Sequence, residues 1–139
     1  MEVLYYYKKA VFENYANFRG RARRSEYWYF VLVNIFLLIA YVIVGGLLSD
    51  TIGFGEDMFA CGLVFSFLAL IVPTLALIVR RLHDTGNSGW MYLIRFVPVI
   101  GPIWFLILMC KQGVSGSNKY GVDPKQTHSE IDDIGIDIN

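Results

Sequence analysis

Two short polar strings stand out in an otherwise apolar chain of 139 residues. The first is Arg19-Gly-Arg21-Ala-Arg23-Arg24-Ser-Glu26, and the second is Arg80-Arg81-Leu-His83-Asp84-Thr-Gly86-Asn-Ser88-Gly89. Arginine presents a planar fork of donors that matches phosphate and carboxylate oxygens. Arg21, Arg24, Glu26, Arg80, Arg81, His83 and Asp84 are therefore the candidate binding residues. The ligand they fit is an anionic lipid headgroup or an acidic partner segment. The competing use of the same bases is to set orientation in a membrane, where each gains about 1 kcal/mol near anionic lipid. Glu26 and Asp84 can also tie the two strings together by salt bridges.

His83-Asp84 offers an acid–base pair, and Ser88 a nearby nucleophile. No third group can be assigned to orient them, and nucleophilic catalysis needs that geometry. A helix-starting Ser or Asp beside a structural histidine is the simpler reading. An interface enzyme using His83 stands as an alternative function. Cys61 and Cys110 lie in apolar segments without the partners a zinc site needs, so no metal or cofactor is expected. Arg95 is the one ionisable residue inside an apolar run, close enough to its end to snorkel to the headgroups.

The elements that must position these residues are hydrophobic helices. The chain is 55% hydrophobic and 17% charged, against about a quarter charged in soluble domains. That composition excludes a disordered chain. Twelve bases cancel twelve acids, which excludes a globally basic nucleic-acid binder. A spanning helix needs about 20 apolar residues. Residues 27–48 and 58–79 meet that length without a single charge. The first is too long for a signal-peptide core and lacks a cleavage site, so it is expected to remain as an anchor.

Residues 90–110 form a third hydrophobic segment, interrupted by Arg95, Pro98 and Gly101-Pro102. Proline removes an amide donor and clashes with the preceding turn. The segment is either one kinked crossing, which is the preferred form on these residues alone, or a re-entrant element broken between Pro98 and Pro102. Ahead of it, Leu4, Tyr7, Val11, Tyr15 and Phe18 share one face, which predicts an amphipathic helix over residues 3–18.

Orientation follows from the bases. Lys8, Lys9, Arg19, Arg21, Arg23 and Arg24 precede the first span, Asp50, Glu56 and Asp57 lie between the spans, and Arg80 and Arg81 follow the second. Basic flanks resist translocation, so the amino terminus and the Arg80 loop are expected in the cytoplasm. Lys111, Lys119 and Lys125 argue for a cytoplasmic tail, whereas a third crossing would place it outside. Residues 1–125 read as one membrane domain and 126–139 as an acidic, mobile tail.

Three strings together carry a family resemblance: Phe18-Arg-Gly20-Arg21-Ala-Arg-Arg24-Ser-Glu26-Tyr-Trp28-Tyr-Phe30, Arg80-Arg81-Leu82-His83-Asp84 through Ser88-Gly89-Trp90, and Asn118-Lys-Tyr120-Gly121-Val-Asp123-Pro124. In order and spacing the chain resembles the domain of unknown function 805 family, small bacterial inner-membrane proteins. The resemblance implies a plasma-membrane location and brings no activity, substrate or catalytic residue. If the three motifs form one cytoplasmic site, the closing motif must also lie inside, which favours the re-entrant form of residues 90–110.

The expectation is thus an all-α polytopic membrane protein: an amphipathic N-terminal helix and three hydrophobic segments, the third kinked or re-entrant. Its partners are membrane lipids through anionic headgroups, with a second copy or another membrane protein as a further partner. A subunit of an oligomeric transporter or pore is the other alternative function, since three segments are too few for a transporter of inverted repeats.

Overall fold

The computed structural model describes residues 2–52 and 56–126, and among these it is helical with no strand beyond an isolated bridge between Asn118 and Gly121. The acidic tail foreseen at 126–139 lies, past Gln126, outside the described residues.

Helix α1 (Glu2–Lys8) runs on into a π-helical turn, Lys9–Glu13. The helix read from periodicity to residue 18 stops here. Asparagines compete with the backbone ladder: both the amide and the Nδ2 of Asn14 donate to the Lys9 carbonyl, at 3.0 and 3.1 Å. Asn17 then donates to Asn14 Oδ1 and accepts from the Arg19 amide, so the chain continues as turns.

Helix α2 (Arg24–Ile52) begins with Glu26 in its first turn, where a carboxylate suits the positive helix end. Helix α3 (Glu56–Asp84) returns beside it. Glu26 meets Arg80 near one end of the pair and Tyr41 stacks on Phe59 near the other, so the two run antiparallel. Both are long and apolar enough to cross a bilayer.

Pro73 lies inside α3, which deprives the Ala69 carbonyl of its i+4 donor. The Tyr15 hydroxyl donates to that oxygen at 2.6 Å. In hydrocarbon an orphaned carbonyl is expensive, so the loop after α1 repairs a defect in a distant helix. Asn34, Ser66 and Thr74 likewise direct a donor to the carbonyl four residues back.

The third hydrophobic segment is broken. A 3₁₀ helix, Gly89–Phe96, and helix α4, Ile100–Cys110, are joined by a tight reversal. At its tip the Ile100 amide donates to the Pro98 carbonyl and Val99 adopts φ +66°, a strained conformation for a branched residue. The two arms pack on each other, Tyr92 and Arg95 both against the Phe105 ring. Gly101 permits the approach, because a Cβ there would strike the backbone of Ile94 and Arg95. Gly89 abuts Val79, and the Met109 and Lys111 carbonyls accept from Arg81, so the hairpin starts and finishes at the same end of α3. Eleven residues of α4 extend about 16 Å, roughly half the hydrocarbon thickness.

Packing concentrates at that end. One core cluster joins Ile78 and Leu82 to Phe105, Leu108 and Met109 of α4. A second, around Ala10, Ala22, Phe30 and Leu77, joins the N-terminal segment to α2 and α3. Beyond them the helix faces stay uncovered: Phe36, Leu38, Ile43, Val64, Phe65 and Phe67 are among many exposed apolar side chains. A contiguous apolar surface of this kind is foreign to a monomer in water.

Candidate functional site

Both polar strings, and the closing one, meet where the two cores meet. The segment around Ala22 is pinned to α3 by the Ala22 amide, which donates to the Arg80 carbonyl at 3.1 Å. Arg21 is thereby aimed at the last turn of α3. Its Nε donates to Asp84 Oδ1 at 2.9 Å, one Nη donates to the carbonyls of Gly116 and Gly121, and the other to that of Val114. Arg81 approaches the same carboxylate from the opposite side, Nη1 to Oδ2 at 2.5 Å, and gives its remaining nitrogens to Met109 and Lys111 carbonyls. One buried acid thus holds two guanidinium groups, and those groups hold the chain that follows α4. Gly113 is pressed against the Asp84 carboxylate, where no side chain would fit.

A second pair lies on the α1 side. Arg80 Nη1 donates to Glu26 Oε1 at 3.0 Å, and Lys9 Nζ stands 3.8 Å from Oε2. Arg23 secures the chain end by donating to the Pro124 carbonyl from Nε and Nη2. His83 stacks on Tyr120, ring centroids 3.8 Å apart, and its Nδ1 lies 3.2 Å from the Gly20 carbonyl. A carbonyl only accepts, so Nδ1 carries the proton in that bond. Ser88 caps the 3₁₀ helix by accepting from the Trp90 amide, a structural role of the kind its position suggests.

The structure therefore gathers six of the seven candidate residues at one end of the molecule, in two ion-pair groups with His83 beside them, and turns most of them inward. Arg21, Glu26, Arg80, Arg81 and Asp84 are each at most 9% exposed, and His83 is half-buried. Arg24 alone is exposed, and it makes no ion pair among the described residues. Arginine donors committed to Asp84 and to backbone carbonyls are not free to grip a ligand, so this network is first a structural clasp.

Residue reasoning missed Lys9, Asn118, Tyr120 and Asp123. Asn118 donates to the His83 carbonyl at 2.9 Å and closes a two-residue turn with Gly121. Asp123 accepts from the Lys125 and Gly116 amides, and these bonds, with Arg21 nearby, hold its carboxyl below the ordinary 3.8. The third string is itself the sequence signal for Asn118, Tyr120 and Asp123, whereas Lys9 belongs to none of the three strings. Among the described residues no cluster of His, Cys, Asp and Glu is arranged to hold a metal ion.

Comparison with known proteins supplies the lineage. The chain is 44% identical to the inner membrane protein YhaI of Escherichia coli K12 over 117 residues, covering 84% of this chain and 92% of that protein. It is 40% identical to inner membrane protein YhaH of the same organism over 119 residues, covering 83% and 93%. The uncharacterized protein YiiR, also from that organism, is 29% identical over 142 residues. No solved structure matches. A family model described as a protein of unknown function, DUF805, matches residues 15–122, a stretch that holds the first two strings and the third as far as Val122. The chain belongs to the DUF805 family, and its relatives YhaI and YhaH are inner membrane proteins.

Proposed function

We propose that this is an integral inner-membrane protein that binds anionic phospholipid headgroups with the rim of its basic end. In this reading α2 leaves the cytoplasm, α3 returns, and residues 89–110 dip into the inner leaflet as a re-entrant hairpin. Residues 1–125 then form one membrane domain with the amino terminus and the closing motif inside. The hairpin's common starting and finishing end supports that arrangement, as does the excess of bases beside α2 and α3.

One observation carries the binding reading. Every acid on residues 19–26, 80–89 and 111–125 is buried, namely Glu26, Asp84 and Asp123. The exposed charges on those same segments are Arg19, Arg24, Lys111, Lys119 and Lys125, all basic. Internal pairing consumes the negative charge and leaves a positive rim at headgroup level, which favours anionic lipid.

The test is lipid selectivity in reconstituted vesicles, read by quenching of Trp28, Trp90 and Trp104 with brominated lipid. Brominated phosphatidylglycerol should be preferred over brominated phosphatidylcholine by about fivefold or more, the equivalent of roughly one base at an anionic surface. Added salt and the triple variant Arg24→Gln/Lys111→Gln/Lys119→Gln should each erase most of that preference. Equal quenching of the wild-type protein by both lipids sinks the proposal.

A further inference from the structure

Three arginines are buried in the network, and they are not equally satisfied. Arg21 and Arg81 have a partner for every guanidinium nitrogen. Arg80 is 3% exposed and uses only Nη1, on Glu26. Its Nε and Nη2 are buried with no acceptor among the described residues.

The identity of the two free atoms matters. Nε and Nη2 form the side edge of the guanidinium, whose parallel N–H groups match two oxygens of one oxyanion. Leu77, one turn before Arg80, and Ala22, whose amide donates to the Arg80 carbonyl, belong to an apolar cluster with Ala10 and Phe30, which offers no side-chain acceptor. Charge is out of balance as well: Arg80 and Lys9 share the single carboxylate of Glu26. A buried cation in this state lacks both hydrogen-bond acceptors and one unit of negative charge, a costly condition in an apolar core. Arg80 also follows directly on the apolar run 58–79, which sets it at the depth of lipid phosphates.

The ion pair that shares Glu26 with Arg80 is the loosest of the four. Lys9 reaches Glu26 at 3.8 Å, against 2.5 to 3.0 Å in the other three ion pairs. Lys9 also opens the π-helical turn, an irregularity that recurs at functional sites.

We propose that Arg80 is the seat for one phosphate group, gripped side-on by Nε and Nη2 and admitted when the Lys9–Glu13 turn swings aside. The chemistry is a phosphate presenting two oxygens, from a phospholipid headgroup or from free phosphate. The proposal deepens the lipid-binding reading and rests on the same membrane placement. It differs in demanding one tightly held phosphate rather than a diffuse preference at the rim.

Native mass spectrometry of the full chain in non-ionic detergent tests it. The protein is offered phosphatidylglycerol and phosphatidylcholine in equal amounts, with and without inorganic phosphate. The wild-type protein should keep one phospholipid adduct at collision energies that strip all others. Arg80→Lys, which preserves the charge and removes the side edge, should lower that adduct at least tenfold. The rim variant Arg24→Gln/Lys111→Gln/Lys119→Gln should keep it, which separates this site from the rim. Loss of the adduct on adding inorganic phosphate supports the site with free phosphate as its source. Persistence of the adduct identifies the lipid headgroup. Should Arg80→Lys fail to fold, Lys9→Met serves in its place, since it releases the Lys9–Glu13 turn from Glu26, and adduct exchange should speed up severalfold. An adduct as persistent in folded Arg80→Lys as in the wild type, unchanged exchange in Lys9→Met, or no persistent adduct at all overturns the proposal and leaves water as the partner of Arg80.

Discussion

Asp84 stands between the guanidinium groups of Arg21 and Arg81, 2.9 Å from one and 2.5 Å from the other. Removing the carboxylate leaves two buried like charges facing each other, a change that costs about 3–5 kcal/mol when one partner of a buried pair is lost. Asp84→Leu is therefore expected to lower the thermal midpoint in detergent sharply, followed by circular dichroism, and an unchanged midpoint would show that the clasp carries no stability. Asp123 gives a milder, pH-dependent handle. Its folded pKa lies below the ordinary 3.8, chiefly through the Lys125 amide. It contributes stability above that value and loses it as pH falls through the folded pKa. Protection against hydrogen exchange at the Gly116 and Lys125 amides, taken relative to the free-amide rate at each pH, should thus stay high at neutral pH and fall only below the usual carboxylate range. In Asp123→Asn that protection should be lower and independent of pH, and identical profiles for the two proteins would remove Asp123 from the account. The sequence shows that these acids and bases exist in number to pair. It does not show which pair, since Arg21 and Asp84 are 63 positions apart and Arg80 and Glu26 are 54.

At the scale of elements, the contact between Tyr15 and the Ala69 carbonyl links a turn to a proline defect in α3. Leaving that carbonyl unsatisfied costs about 1–3 kcal/mol. Tyr15→Phe should destabilise the protein by that amount, and by markedly less in a Pro73→Ala background, where the restored amide takes over the carbonyl. A double-mutant cycle on thermal or denaturant unfolding in micelles measures the difference, and strictly additive losses would dissociate the two residues. The same scale shows where periodicity misleads. Tyr15 shares the apolar face of residues 3–18, yet it sits beyond the helix, because Asn14 and Asn17 turn the chain out of it. Periodicity records which side chains are apolar, and side-chain capture of a backbone carbonyl decides where the helix stops. For residues 90–110, Pro98 and Gly101 mark the break correctly. The direction of the chain after it depends on Gly101 meeting the Ile94 carbonyl across the hairpin.

At the scale of the whole molecule, the question is which ends share a compartment. With Cys61 and Cys110 replaced by alanine, the variants Asp57→Cys, Asn87→Cys and Lys125→Cys report in intact cells on the start of α3, the turn after α3 and the closing segment. Asp57→Cys should react with an impermeant maleimide from outside, and the other two only after permeabilisation. Labelling of Lys125→Cys from outside would mean that residues 89–110 cross, and the re-entrant reading would fall. The physical basis of the expectation is that Arg81 binds the Lys111 carbonyl while the hairpin's first residue touches Val79. Both contacts belong to one end of one helix.

Local composition was enough to determine the helical class, two long apolar helices, the break near Pro98 and the family, because hydropathy, proline chemistry and motif order are properties of neighbouring residues. Whether the arginines face a ligand or one another was decided only by tertiary structure. Arg23 finds its acceptor 101 positions away, at Pro124, and Arg80 finds its carboxylate 54 positions away, at Glu26. A guanidinium has the same donors wherever it lies in a chain; what it binds depends on which distant oxygens the fold brings within reach.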